Sequence, residues 1–359
     1  MYYFFANSYL QLYHALDFDF NNEQKVTIIT SNIAIEKFCR HISKKVICYN
    51  LTPKYATFKV HKELKHLIKI KSEAKEFIES INFNMDDTII YPLKYFQIYQ
   101  AGSDSYLLKI ISNVANVYFM NITERLKFIE TSLGHVKIRI NRIRVRYLRL
   151  LYYMVFGVKF SYYKIDSENN IYKKIYLRLN IENIGVDNIA LSNYNHDHME
   201  SINNVINKFD NLITEQYDHL IIYEGDGKGL DSQFSISSIE NLYRYLFSRI
   251  NSFGIKRSAK ILQGLKNQLN IDIEKNYNCL PTHLPSELLF KNINKSVISI
   301  SSATLVNASG YKNLKSVSLL ELVSWRDQNS KIGVKNFLLK NGKNILFPKN
   351  YDELLKIIN

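Results

Sequence analysis

Three cysteines, Cys39, Cys48 and Cys279, are all that the 359 residues contain. Scattered in this way they build neither a disulfide framework nor a zinc site, and a reducing cytoplasm is the simplest setting. Proline is scarce at 5 and glycine at 12, which excludes collagen-like and low-complexity chains. Acidic residues are outnumbered: 33 Asp and Glu stand against 47 Lys and Arg, for a formal charge of +14. That balance points to an anionic partner. No DNA- or RNA-binding signature accompanies it, so nucleic acid is not the expected one. No run is long enough to span a bilayer, the most apolar stretch being Tyr147 to Phe160. Residues 1–16 have neither a basic leader region nor a small-residue cleavage site, so no signal peptide is expected.

The chain is long for one domain and comfortable for two, with 46% hydrophobic residues to fill the cores. Tyr (26) and Phe (20) are abundant, and with the recurring Asn, Ile and Lys they read partly as the imprint of an AT-rich genome. Strand and helix patterns alternate, which predicts an α/β fold. The first half offers strands at Tyr2–Phe5, Lys25–Thr30, Lys45–Tyr49, Asp87–Tyr91 and Asn116–Met120. Helices are expected over Ser8–Ala15, Ile33–Ile42 and near Tyr106–Val114. Residues 136–163 read as a short strand followed by a helix or helix pair, and the interdomain region is placed around 190–215. The pattern restarts at His219–Tyr223 and continues through helices over Ser238–Ile250 and Ser258–Leu269. Strands follow near Tyr277–Leu280, Ser296–Ile300, Val317–Leu320 and Asn344–Phe347, with a helix from Tyr351. The expected architecture is two Rossmann-like domains facing a cleft: residues 1–200, residues 215–345, and a closing helix within 346–359.

Three strands of the second half run into polar clusters. After HLIIY comes Glu224-Gly225-Asp226-Gly227, whose glycines allow a sharp turn that would hold the Asp226 carboxylate over the cleft as a general base. Taken alone, this is more simply a tight turn with solvated acids. Pro281-Thr282-His283-Leu284-Pro285 stiffens a loop around one histidine, which titrates near neutrality and can protonate a leaving group. A lone loop histidine more often has no such role. Ser299-Ile300-Ser301-Ser302-Ala303-Thr304 carries a strand into a helix through small hydroxyl residues, a natural anion site. Plain capping would also explain those serines. Acid, histidine and anion site fall in order at the strand ends of one sheet, where a doubly wound domain gathers its ligand groups.

The order Asp226, His283, Ser301-Ser302 resembles the bacterial lipooligosaccharide sialyltransferases of glycosyltransferase family 52 and the related polysialyltransferases. The opening FFANSYLQLYHAL and the closing NILFPKNYDELLKI are also similar to that family's first and last segments. The resemblance implies a GT-B fold with an acceptor-side first domain and a nucleotide-sugar-binding second one. It implies metal-independent, inverting transfer of sialic acid from CMP-sialic acid to a cell-surface glycan, lipooligosaccharide or capsule. Asp226 becomes the base and His283 the acid. Ser301, Ser302, Gly225, Gly227 and Thr304 surround the donor phosphate, with Glu224 and Glu124 as alternative acids. The family's His-Pro pair is interrupted here by Leu284, and its acidic turn in the first domain is reduced to Glu124. No cofactor beyond the donor is implied. A membrane-borne acceptor implies a protein at the inner face of the inner membrane, and a homodimer is compatible with it. Other readings stay open: a GT-B transferase using CMP-Kdo or a UDP-sugar, or a decayed transferase that only binds.

Two further motifs are weaker. Asn195-His196-Asp197-His198 sets its histidines two apart, a poor metal spacing, and reads as a polar loop. The run Lys137, Arg139, Arg142, Arg144, Arg146 and Arg149 serves equally as a contact for anionic lipid or as a solvated face whose long stems cover a core.

Overall fold

In the computed structural model, residues 1–22, 25–50, 60–93, 110–121, 135–137, 160–165, 174–179, 198–209, 214–226, 233–264 and 266–359 are described, with the single positions 107, 150, 154, 155 and 212. They fall into two units, residues 1–205 and 206–359.

The first unit begins with β1 (Tyr2–Phe5), α1 (Tyr9–Asn22), β2 (Val26–Thr30), α2 (Ile33–His41) and β3 (Val46–Cys48). A 22-residue helix, α3 (Val60–Ile81), leads to β4 (Thr88–Leu93) and β5 (Asn116–Asn121). These five strands form one parallel sheet in the order β3-β2-β1-β4-β5. β2 is buried along its whole length, as a strand covered on both faces must be. The buried face of α2 presents Ala34, Ile35, Phe38 and Cys39, and Asn32 caps the helix by accepting from the Ala34 N–H.

Where the sequence reads as a strand and helices over 136–163, the chain contributes to an antiparallel sheet of β6 (His135–Lys137), β7 (Phe160–Ile165) and β8 (Lys174–Leu179). Within that span the described Leu150, Met154 and Val155 have helical backbone after the short strand β6, as expected, and β7 is the element that the sequence reading did not include. The arginines of the basic run, 139 to 149, lie outside the described residues. The region read as interdomain carries a helix, α4 (His198–Lys208), pinned to α1 by polar contacts. Ser201 Oγ and Asn204 Nδ2 both donate to the buried Asp17 carboxylate at 2.8 Å. The NHDH motif lies outside the described residues except for His198, the first residue of α4.

The second unit runs β9 (Tyr217–Ile222), α5 (Ile236–Arg249), β10 (Phe253–Lys256), α6 (Ile273–Asn276), β11 (Cys279–Leu280) and β12 (Ile293–Ser299). It continues with α7 (Thr304–Ala308), β13 (Lys315–Ser318), α8 (Gln328–Asn341), β14 (Ile345–Leu346) and α9 (Tyr351–Ile358). All six strands are parallel, in the order β11-β10-β9-β12-β13-β14. Numbered within the unit this is 3-2-1-4-5-6, the Rossmann order, and its switch point lies between β9 and β12. Alternate residues of β9 enter two cores: Ile221 on one face, Leu220 and Ile222 on the other. The α/β expectation holds, with a parallel sheet in each unit. The helix expected over Ser258–Leu269 is instead a single 3-10 stretch, Ala259–Gln263, ended by Gly264 at φ +85. Beyond it, Asn267 pairs its backbone with Asp226, so the segment serves the site rather than a helix.

Inside the sheet, His219 on β9 is 4% exposed and its Nδ1 lies 2.7 Å from Ser296 Oγ on β12. Burial pushes its imidazole down to about 4, against the pull of Asp218. Between pH 6.5 and 4 the unfolded chain takes this proton and the folded chain does not, so acid favours unfolding. Lowering the pH through that window should cost about 3 kcal/mol through His219 alone. Urea melts of the wild type and His219→Gln should show the difference, the variant losing less.

Candidate functional site

The carboxyl ends of β9, β10, β11 and β12 all open on one edge of the second sheet, because the strands are parallel. Asp226 follows β9, the Pro281–Pro285 loop follows β11, and Ser301-Ser302 follow β12. The first and last groups are neighbours across the switch point. His283 is two strands from β9, a backbone spacing of about 10 Å.

The loop leaving β9 is fixed from several sides. Tyr243 Oη accepts from the Glu224 N–H at 3.0 Å, and the Gly225 carbonyl accepts from Gln268 N at 2.9 Å. The Tyr223 hydroxyl donates to Asn267 Oδ1 at 2.8 Å, and its ring lies where a Cβ on residue 225 would stand. The approach of Tyr223 is by itself enough to call for glycine at 225. Gly227 and Glu124 lie outside the described residues.

Asp226 does not project freely over the sheet edge. Its side chain has no exposed surface, and Arg257 holds both carboxylate oxygens: Nη2 donates to Oδ1 at 2.6 Å and Nε to Oδ2 at 3.2 Å. Arg257 also pairs with Glu274 through Nη1. Bidentate pairing of this kind is the strongest and most directional that a guanidinium makes.

The anion site at the start of α7 is filled from within the chain. Glu224 Oε1 accepts from Ser301 N at 2.8 Å, from Ser302 N at 3.1 Å and from Ser299 Oγ, while Oε2 accepts from Ser301 Oγ. Ser302 Oγ is turned the other way and accepts from Thr304 N at 3.2 Å, closing a local turn just ahead of α7, whose N-cap is Ala303. The carboxylate of Glu224 thus stands where the sequence places a phosphate. As whole residues Glu224 and Asp226 are both of intermediate exposure, and the side chain of Asp226 itself has no exposed surface.

Lys256 and Arg257, which end β10 and follow it, are the residues that sequence reading missed. The four-residue strand FGIK, entered through a turn at Ser252 (φ 52), gives only a faint signal between two apparent helices. Lys256 is 4% exposed and donates to the carbonyls of Arg257 and Thr282, each at 3.0 Å. It thereby ties the histidine loop to β10. Burial pushes its amine down to about 8, against the pull of Glu287 and Asp226. Among the described residues no group of three or more His, Cys, Asp or Glu could hold a metal ion.

Two outcomes follow from this geometry. Asp226→Asn should leave Arg257 buried beside a neutral amide and cost about 3 kcal/mol, measured by urea unfolding. Pairing it with Arg257→Met should return part of that loss, since the buried guanidinium, otherwise left with Glu274 alone, is then removed. For Lys256, the folded pKa lies below the unfolded one, so its charge opposes folding and stability rises as the amine deprotonates. Relative to Lys256→Met, the wild type should gain up to about 3 kcal/mol between pH 8 and 10.5.

No protein-family model matches the chain. No curated protein matches it either. Among solved structures, the calicheamicin glycosyltransferase CalG4 aligns over 99% of this chain and 88% of its own, at 9% identity and a TM-score of 0.42. The UDP-GlcNAc 2-epimerase from Neisseria meningitidis, bound to UDP-GlcNAc, aligns over 99% and 97%, at 12% identity and a TM-score of 0.39. At such values neither the activity nor the ligand of those proteins passes to this chain.

Proposed function

We infer that the chain is an inverting, metal-independent glycosyltransferase of the GT-B plan. The nucleotide-sugar donor binds the second unit and the glycan acceptor the first. The observation that carries this reading is the Rossmann-ordered second sheet with a ready-made anion cradle, Ser299 to Ser302, at its switch point. CMP-sialic acid is the donor that the resemblance at His283 and Ser301-Ser302 supports, with a membrane-borne lipooligosaccharide or capsule glycan as acceptor.

The donor phosphate takes the place of the Glu224 carboxylate, one anion exchanging for another on the same N–H and hydroxyl donors. Glu224, once displaced, then stands beside the donor as the base. It takes the proton of the acceptor hydroxyl, whose oxygen attacks the anomeric carbon from the face opposite the nucleotide. The bond from that carbon to the phosphate oxygen breaks, and the electron pair leaves with CMP. His283 donates a proton to the leaving phosphate. Asp226, which the resemblance names as base, here orients Arg257 at the edge of the site.

The engagement of both carboxylates favours one competing reading, a protein that binds nucleotide without turning it over. The two separate in one experiment: thermal shift with CMP, CDP, UDP, GDP and ADP, alongside transfer from CMP-sialic acid, for the wild type and Glu224→Ala. We expect cytidine nucleotides to bind best and activity to survive EDTA. Glu224→Ala should bind CMP more tightly, by about tenfold if one charge-assisted contact no longer competes. Its turnover should fall by about 10²–10⁴-fold. A preference for uridine or purine nucleotides removes the sialic acid reading. Turnover kept by Glu224→Ala but lost by a folded Asp226→Asn returns the base to Asp226.

A further inference from the structure

Helix α8 (Gln328–Asn341) has a solvent side unlike that of an ordinary surface helix. Ile332 is 51% exposed, Phe337 40% and Leu339 56%, and Leu338 is the helix's one buried residue. Ile332 and Leu339 are seven residues apart and nearly in line along the axis, and Phe337 lies about 140° round from Ile332. Leu338 is opposite the middle of that arc, so the three apolar side chains share the outward face. A helix that docks only on its own sheet gains nothing by placing Ile, Phe and Leu there.

The charge around that face is mainly positive, with Asp327 at the helix N-cap and Glu321 beside the helix as the acidic exceptions. From Gln328 to Asn350 the chain has five lysines and no Asp or Glu. Lys331 and Lys335 turn toward Glu321, each at 2.6 Å. Lys340, Lys343 and Lys349 are exposed. An apolar strip bordered by cations matches a surface that is apolar beneath and anionic on top. A second protein surface would need an acidic rim, and a second copy of this chain, at +14, offers net repulsion instead.

We propose that the outward face of α8 is a membrane-docking surface, on which Ile332, Phe337 and Leu339 enter the interface of a bilayer containing anionic phospholipid and the flanking lysines contact its headgroups. The surface uses none of the residues that the proposed chemistry uses, and it stands whether or not the chain transfers sugar.

The test uses the full chain with Phe337→Trp, whose introduced tryptophan adds to the single native Trp325, itself buried. Vesicles of mixed phosphatidylcholine and phosphatidylglycerol should shift the emission to the blue, and pure phosphatidylcholine should shift it little. Lys343→Gln should weaken partitioning about fivefold at low salt, the loss of one headgroup-facing lysine. Ile332→Ser with Leu339→Ser should abolish the shift while the thermal melt is unchanged, since both residues are exposed. Two results overturn the proposal. One is sedimentation with anionic vesicles without any change in the emission of the introduced tryptophan, which places the contact on another basic surface. The other is a blue shift that grows with protein concentration in the absence of lipid and accompanies dimers in sedimentation, which assigns the face to a second copy.

Discussion

A carboxylate at the meeting point of two parallel strands needs donors, and Glu224 finds them across the gap between β9 and β12. Two backbone N–H groups and two serine hydroxyls converge on it. This closes the carboxyl end of the central strand pair, as His219 and Ser296 close its interior. Both contacts depend on the parallel register, in which Ile221 of β9 lies beside Ile298 of β12. The apolar layers on the two faces hold that register, because a slip of one residue would send Ile221 and Leu220 to the wrong cores.

Around this centre the charges are answered in different ways. Asp226 is answered by a guanidinium, Glu224 by N–H and hydroxyl dipoles, and Lys256 by hydrogen bonds to two carbonyls, with Glu287 and Asp226 acting on it from further off. The three answers have unequal strength. An ion pair sealed from water resists exchange, because removing either partner leaves a buried charge. A carboxylate held by N–H and hydroxyl groups can be replaced by another anion that satisfies the same donors. That contrast is why Glu224, rather than Asp226, is assigned the mobile role. Lys256 in turn couples the two sides of the site, since the carbonyl it holds at Thr282 belongs to the loop of His283.

Much of the scaffold was legible along the chain. The apolar runs FF, VTII, HLII and SVIS lie in strands, because a strand covered on both faces must be largely apolar. One short strand was not legible: FGIK is four residues after a turn and shows no period. The 22-residue α3 went unread because its many lysines and glutamates dilute the apolar stripe. The three-stranded antiparallel sheet was hidden by aromatic residues that serve helix and strand alike.

The sequence by itself determined that this is an α/β chain with a repeated strand–helix alternation, and that polar loops follow the strands of its second half. It also brought acid, histidine and serines to loops that share one sheet edge, since parallel strands put all their carboxyl ends together. Only the tertiary structure decided what those groups touch. Arg257 arrives beside Asp226 because β10 lies against β9, and Glu224 reaches the serines because β12 lies on its other side. Sequence spacing carries no record of which strand becomes the neighbour of which. That choice is made by the packing of helices over both faces, and it sets which carboxylate is clamped by a guanidinium and which is held by N–H and hydroxyl donors.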